Sequence, residues 1–234
     1  MNRSPLLFLG ILVTLALSFW VLVFVPETQI GQQQATNLDT GELYPPARSG
    51  LAKKGAEIYR AEGCVECHSQ QVRHPEFASD YGRGWGPRIT VAQDYLGDYP
   101  VMLGAQRIGP DLANIGARRD AAWHLQHLYD PQGTVPGSMM SPYRYLFEKR
   151  KVSRSPSPQA LKVANLQPGF EVVPTDAAEA LVAYLMSLSA QVELFEAPVP
   201  RRPGANTNAP AGTTDTNATN NSSVPATQSA PPPK

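Results

Sequence analysis

Cysteine is nearly absent, with Cys64 and Cys67 the only two in 234 residues. No spare thiol remains for a disulfide, and a four-cysteine metal site is excluded. Histidine is almost as scarce, since His68, His74, His124 and His127 are the full complement. Neither sign of charge is in surplus: twenty lysines and arginines balance twenty aspartates and glutamates. The chain therefore lacks the basic footprint of a nucleic-acid binder, and no nucleic acid is expected as a partner. From Ala197 onward there is no aromatic residue at all. Residues 197–234 read Pro, Ala, Thr, Asn and Ser, a composition that buries too little apolar surface to offset ordering entropy, and they are expected to form a disordered tail.

Charge is also missing from residues 6–25, an uninterrupted apolar run. About 20 such residues suffice to cross a hydrocarbon core as a helix. A cleaved signal peptide has a shorter apolar core and a small-residue cleavage site, and neither is present, so residues 1–26 are expected to be a retained anchor. Arg3 is the only charged side chain ahead of the run. That favours a cytoplasmic N-terminus and an exported body. Residues 27–48 are polar and aperiodic, with Gln32-Gln33-Gln34 and Pro45-Pro46, and read as a juxtamembrane linker. Residues 49–196 remain for one domain with its own core. No internal repeat is visible.

The two cysteines fall in Cys64-Val65-Glu66-Cys67-His68. C-x-x-C-H is the spacing at which two thiols bond covalently to a haem and the adjacent imidazole ligates its iron. A thioredoxin-like pair would need a strand before it, and a structural zinc site needs four ligands, which His68 and His74 barely complete. The expected cofactor is one covalently attached haem c. That chemistry and the topology agree on the outer face of a bacterial inner membrane.

The domain reads as mainly α. Ser49 caps a segment with Leu51, Gly55, Ile58 and Tyr59 on one face, which delivers the cysteines. Asp120 caps a second helix over 121–129 that Pro131 stops. Asp176 and Glu179 resemble a capping box before a stripe of Leu181, Tyr184, Leu185 and Leu188 that ends near Ala190. Residues 73–109 carry glycines, prolines and tyrosines without a period and read as a long, functional loop.

Iron held by one histidine needs a sixth ligand, and methionine opposite histidine raises the reduction potential. Met140, on an irregular segment behind Pro136-Gly137-Ser138, suits that role best. Met139, Met102 and a second histidine are the other candidates, while Met186 sits on the last helix as a packing residue. His124 and His127, three apart on one helix, read as hydrogen-bonded packing residues before ligands of a haem's periphery. His74, before Pro75, reads as a surface residue.

Taken together, Gly63-Cys64-Val65-Glu66-Cys67-His68-Ser69-Gln70, Val72-Arg73, Tyr81-Gly82-Arg83, Arg107-Ile108-Gly109-Pro110-Asp111-Leu112-Ala113, Trp123-His124 with His127-Leu128, Asp130-Pro131, and Val135-Pro136 with Ser138 and Met140 closely resemble the membrane-anchored monohaem subunit of cbb(3)-type cytochrome c oxidases. The resemblance covers about residues 50 to 190 and the anchor. It implies a class I cytochrome c domain, with Cys64 and Cys67 as thioether sites, His68 and Met140 as axial ligands, and Pro110 close to the His68 ring. It further implies an electron-transfer subunit without oxygen chemistry of its own. Electrons would come from a soluble cytochrome or a dihaem sister subunit and pass to a catalytic subunit holding b haems and copper. Where relatives follow the methionine with Pro-Ala-Tyr, this chain has Ser141-Pro142-Tyr143, which leaves Met139 against Met140 open. Residues 149–169 match nothing specific in the family pattern. An anchored cytochrome subunit of a nitric oxide reductase, a free-standing shuttle, and a haem-based sensor or peroxidase are the alternatives; the last needs an open sixth site.

Overall fold

The computed structural model describes residues 3–30, 35–164 and 166–199. The predicted apolar helix is present and longer than expected: α1 (Ser4–Phe19) passes through a wide π turn at Trp20–Phe24 into α2 (Val25–Ile30). Pro26 accounts for the irregularity, because it lacks an N–H and its ring crowds the carbonyl one turn back. The large apolar side chains of this helix are exposed, and its length and composition suffice to cross a membrane.

The expected linker holds structure of its own. Beyond α2, the strands β1 (Ala35–Thr36) and β2 (Leu43–Tyr44) form a small antiparallel hairpin. Ala35 and Tyr44 are buried with Leu194, against Val91 and Val192. Tyr44 donates its hydroxyl proton to Asp94 Oδ1 at 2.7 Å, and the fully buried Arg88 grips the same carboxylate through Nη1 (3.0 Å) and Nη2 (2.7 Å). Arg88 Nε also donates to the Val192 carbonyl at 2.5 Å. Two charges withdrawn from water are tolerable because every polar face has a partner. Partners this far apart in sequence leave no local pattern, which is why a polar stretch read as linker.

The rest of the chain follows as α3 (Gly50–Ala61), α4 (Cys64–Cys67), a 3-10 turn (Ala92–Tyr95), α5 (Ile115–Arg118), α6 (Ala121–Tyr129), α7 (Pro131–Thr134), β3 (Phe147–Lys151), β4 (Phe170–Pro174) and α8 (Asp176–Ser187). The domain is mainly helical, as expected. Ser49 Oγ accepts from the Ala52 N–H at 3.2 Å, satisfying one orphan donor of α3. The buried face of α3 is Ala52, Gly55 and Tyr59, whereas Leu51 is 49 % exposed, which corrects the predicted face. The reason is the close crossing of α3 over α8. A Cβ at Gly55 would lie 1.9 Å from the Ala180 carbonyl oxygen and 2.7 Å from Tyr184 Cβ. Two backbones that touch admit small residues and exclude a leucine. Beside this crossing the Tyr59 and Tyr184 rings lie 5.3 Å apart, and Tyr184 donates to Gln70 Oε1 at 3.0 Å.

The predicted stripe of α8 is wholly buried, but its ends differ. Thr175 is the cap, accepting from the Ala178 N–H at 3.4 Å and donating to the Leu146 carbonyl at 2.8 Å, and Asp176 opens the helix. The helix stops at Ser187 because Asn114 Oδ1 captures the Ala190 N–H at 2.8 Å, pulling the chain out of helical register. Residues 149–169 hold an unforeseen element, since β3 pairs antiparallel with β4 from Phe147↔Pro174 to Lys151↔Phe170. The expected tail begins inside this unit: Ala197 is buried and its N–H bonds the Leu194 carbonyl at 3.0 Å. Residues 200–234 of that tail lie outside the described residues.

Candidate functional site

Gly63 ends α3 and starts the site. Its φ of 70° places it in the left-handed region, where a side chain is strained, so the chain turns sharply into α4. That one helical turn brings Cys64, Cys67 and His68 to one place, with the His68 N–H closing on the Cys64 carbonyl at 3.0 Å. Cys64 is half-buried and burial pushes its thiol up to about 12, while Cys67 is exposed.

The loop 107–113 then fixes the imidazole. His68 Nδ1 bonds the Pro110 carbonyl at 2.8 Å, so Nδ1 carries the proton and Nε2 keeps its lone pair. Gly109 makes room for this: a Cβ there would lie 2.3 Å from His68 Cε1. Burial lowers the His68 pKa, which favours the neutral ring that a metal needs. The Gly109 N–H bonds the Cys67 carbonyl at 2.9 Å, and the Leu112 N–H the Ser69 carbonyl at 2.8 Å, so loop and turn are stitched on both sides. Asp111, fully buried, completes the stitching by accepting from Ser69 Oγ (2.7 Å), the Gln71 N–H (2.7 Å) and the Ala113 N–H (2.9 Å). Its motif was visible in the sequence; this clamping role was not.

The methionine segment is rigid before it reaches the core. The Ser138 N–H bonds the Val135 carbonyl at 3.0 Å across Pro136 and Gly137, and the φ of Gly137 is 81°, a type II turn that needs glycine at its third position. Beyond it the two candidates diverge. Met139 is 79 % exposed, whereas Met140 is half-buried and packs on the main core cluster together with Cys64, Val65, Leu125 and Tyr143. The Tyr143 N–H bonds the Leu128 carbonyl at 2.8 Å, tying the segment to α6. Met102 is buried in the core, and Met186 packs against it. His74 is exposed and sits 3.7 Å from Glu76.

Asp120 Oδ1 accepts from the Trp123 N–H at 2.7 Å, capping α6 as expected. His124, only 3 % exposed, and His127, stacked on Trp123 at 4.6 Å, do pack. They are not hydrogen-bonded in the way expected, however: His124 Nε2 and His127 Nδ1 are buried with no partner. His127 lies near enough to His68 for that ring to help lower its own pKa, after burial. An orphaned ring nitrogen beside a buttressed imidazole, two thiols and an apolar wall fits a tetrapyrrole with polar edges. The residues present fit a haem.

Burial pushes His124 down to about 4, with His127, Arg119 and Arg118 acting in the same direction and Asp120 opposing. Its folded pKa is below the usual value of about 6.5, so the unfolded chain binds the extra proton as pH falls from 6.5 to 4. Stability attributable to this ring is complete above pH 6.5 and is lost through that window, on the order of 3 kcal/mol in total. His124→Asn is expected to flatten the denaturation midpoint between pH 6.5 and 4, measured in detergent; an unchanged slope would refute this origin.

A thiol pair and an imidazole held on one turn, within a helical domain led by one helix long and apolar enough to cross a membrane, fit the class of membrane-anchored haem proteins. Comparison narrows that class: residues 1–173 match the family described as cytochrome c oxidase, mono-heme subunit/FixO, and the chain belongs to that family. It is thus a mono-haem oxidase subunit that associates with other oxidase subunits. No curated protein matches it.

Proposed function

We propose that the chain carries one covalent haem c and relays single electrons from a cytochrome donor, soluble or a dihaem sister subunit, to the b-haem and copper catalytic subunit of a cbb(3)-type oxidase. Residues 49–196 would form a class I cytochrome c domain, periplasmic, on a single-pass helix with a cytoplasmic N-terminus. Cys64 and Cys67 would supply the thioether bonds, and His68 Nε2 and Met140 Sδ the axial ligands. Bound there, the haem iron supplies a site that gains and loses one electron.

The observation that carries this reading is the His68 Nδ1 bond to the Pro110 carbonyl beside Gly109. It fixes the tautomer and the ring plane, so the ligand does not reorganise between oxidation states. Met140, like Val65, Leu125 and Tyr143, packs against the main core cluster, an apolar surrounding that favours a carrier over an enzyme with an open coordination site. No group on this chain acts as acid, base or nucleophile in the reading.

Purification of the intact membrane complex tests it. The expected preparation contains b haems and copper, consumes oxygen, and shows haem stain on this chain after denaturation, with the stain lost in Cys64→Ser/Cys67→Ser. A catalytic partner holding non-haem iron, or carbon monoxide binding this chain's own reduced haem at neutral pH, would overturn it.

A further inference from the structure

Charge is balanced over the whole chain, yet six of the twenty basic residues fall within residues 144–162 and only one of the twenty acidic ones, Glu148, does. The fold places five of the six on the β3–β4 hairpin and the segment that joins its strands. Phe147 is buried, and the strand then carries Lys149, Arg150 and Lys151 out into solvent. Arg150 is spent on Glu171, at 2.9 Å, whose other oxygen accepts from the Ser157 N–H at 2.6 Å. Lys149 and Lys151 alternate onto one face of the strand. The Leu161 N–H bonds the Val172 carbonyl at 2.8 Å, so Lys162 follows a residue held against β4. Among the described residues, Lys149, Lys151, Arg154 and Lys162 enter no ion pair.

We infer that this basic hairpin is the docking face for the acidic surface of a soluble electron-donor protein. The inference rests on the electron-carrier reading above. Position supports it: Phe147 and Val172 of the hairpin belong to the core cluster against which Cys64, Val65 and Met140 pack. The chain arriving from the apolar helix packs instead on a separate cluster, through Ala35 and Tyr44 with Leu194. A lipid-facing role would suit that end of the domain better. Chemistry supports it too. Permanent subunit contacts are rich in apolar side chains, whereas exposed cations without a carboxylate partner, Lys149 resting over the Phe170 ring at 4.9 Å, suit a transient encounter that is steered by charge.

The test uses the full chain with its haem and anchor in detergent, and as probe the reduced soluble domain of cytochrome b5, an acidic one-electron donor. In stopped flow at low salt, Lys149→Glu/Lys151→Glu/Arg154→Glu is expected to slow haem reduction by roughly tenfold or more, with the gap closing as salt screens the charges. The neutral triple Lys149→Gln/Lys151→Gln/Arg154→Gln is expected to fall between, which guards against misfolding of the reversed variant. Reduction by ascorbate is expected to stay unchanged in both. An unchanged rate and salt slope with the acidic donor would overturn the docking face alone. So would loss of another subunit from complexes carrying the triple variant, which marks a permanent contact. Weakened binding only to phosphatidylglycerol vesicles would assign the cations to lipid instead. A haem that ascorbate fails to reduce would overturn the carrier reading and this inference with it.

Discussion

Asp111→Ala is expected to loosen the whole histidine side of the site. Its carboxylate is fully buried and accepts from Ser69 Oγ and from the N–H groups of Gln71 and Ala113, with Arg107 Nη2 at 3.8 Å. Removing it leaves two backbone donors and a hydroxyl in a site that alanine cannot hydrate, and one less counter-charge for a cation that also serves Asp80 at 2.6 Å. Breaking a buried, hydrogen-bonded charge site typically costs about 3–5 kcal/mol. Asp111→Asn keeps the volume and one acceptor oxygen, and is expected to lose roughly half of that by the cost of unmade hydrogen bonds. The check is the denaturant midpoint of the detergent-extracted haem protein, read in the haem band and in far-ultraviolet dichroism. The consequence reaches further than stability, because residues 107–113 also carry Gly109 and Pro110. A freed loop lets the His68 ring rotate, so the variant is expected to show a broadened, pH-sensitive haem spectrum. Two unchanged midpoints would show that the clamp is redundant.

Asp111 also illustrates what could be read from the sequence. The C-x-x-C-H turn, the Ser49 and Asp120 caps and the α8 stripe are local patterns, fixed by spacings of two to four residues, and they are where they were expected. The elements that were missed depend on distant partners. The β1–β2 hairpin is held by Tyr44 reaching Asp94, and the end of α8 by Asn114 reaching Ala190. In neither case does the local composition hint at the partner. The exposed Leu51 fails for a related reason: apolar periodicity put it on the face of Gly55 and Tyr59, which are buried, but the close crossing at Gly55 over Ala180 takes Ala52 inward in its place. Residues 149–169 hid a hairpin because β3 has a single buried residue, Phe147, and so no alternation to detect.

The site itself was legible as chemistry but not as support. Motif and resemblance singled out Cys64, Cys67, His68, Pro110 and Met140, and the fold brings the first four together. The orphaned ring nitrogens of His124 and His127 could not, since a histidine on an amphipathic helix reads as satisfied until its surroundings are known. The excess of basic residues within 144–162 can be counted in the sequence, but that most of them lie on a β3–β4 hairpin could not be read there.

Met140→Ala is expected to abolish the near-infrared methionine-to-iron absorption of the oxidised protein, and Met139→Ala to leave it intact. The two residues are adjacent, so the segment's rigidity decides between them. The Val135–Ser138 turn aims the following backbone, the Tyr143 N–H pins it to α6, and between those two fixed points only one of two successive side chains turns toward the core. That side chain is Met140, which packs against the same core cluster as Cys64 and Val65, while Met139 stands 79 % exposed. Loss of the thioether leaves a position for water or a stronger donor, and the reduction potential is expected to fall, since methionine favours the reduced state. A drop of about 59 mV corresponds to each tenfold change in the relative stability of the two oxidation states, so a shift of several such steps is measurable by redox titration. Reduced Met140→Ala is also expected to bind carbon monoxide, which the native protein and Met139→Ala should not. The reverse pattern, with the band lost only in Met139→Ala, would mean that the segment slides by one residue when haem binds. The missing Pro-Ala after the methionine, replaced here by Ser141-Pro142, would then be the reason the segment can move.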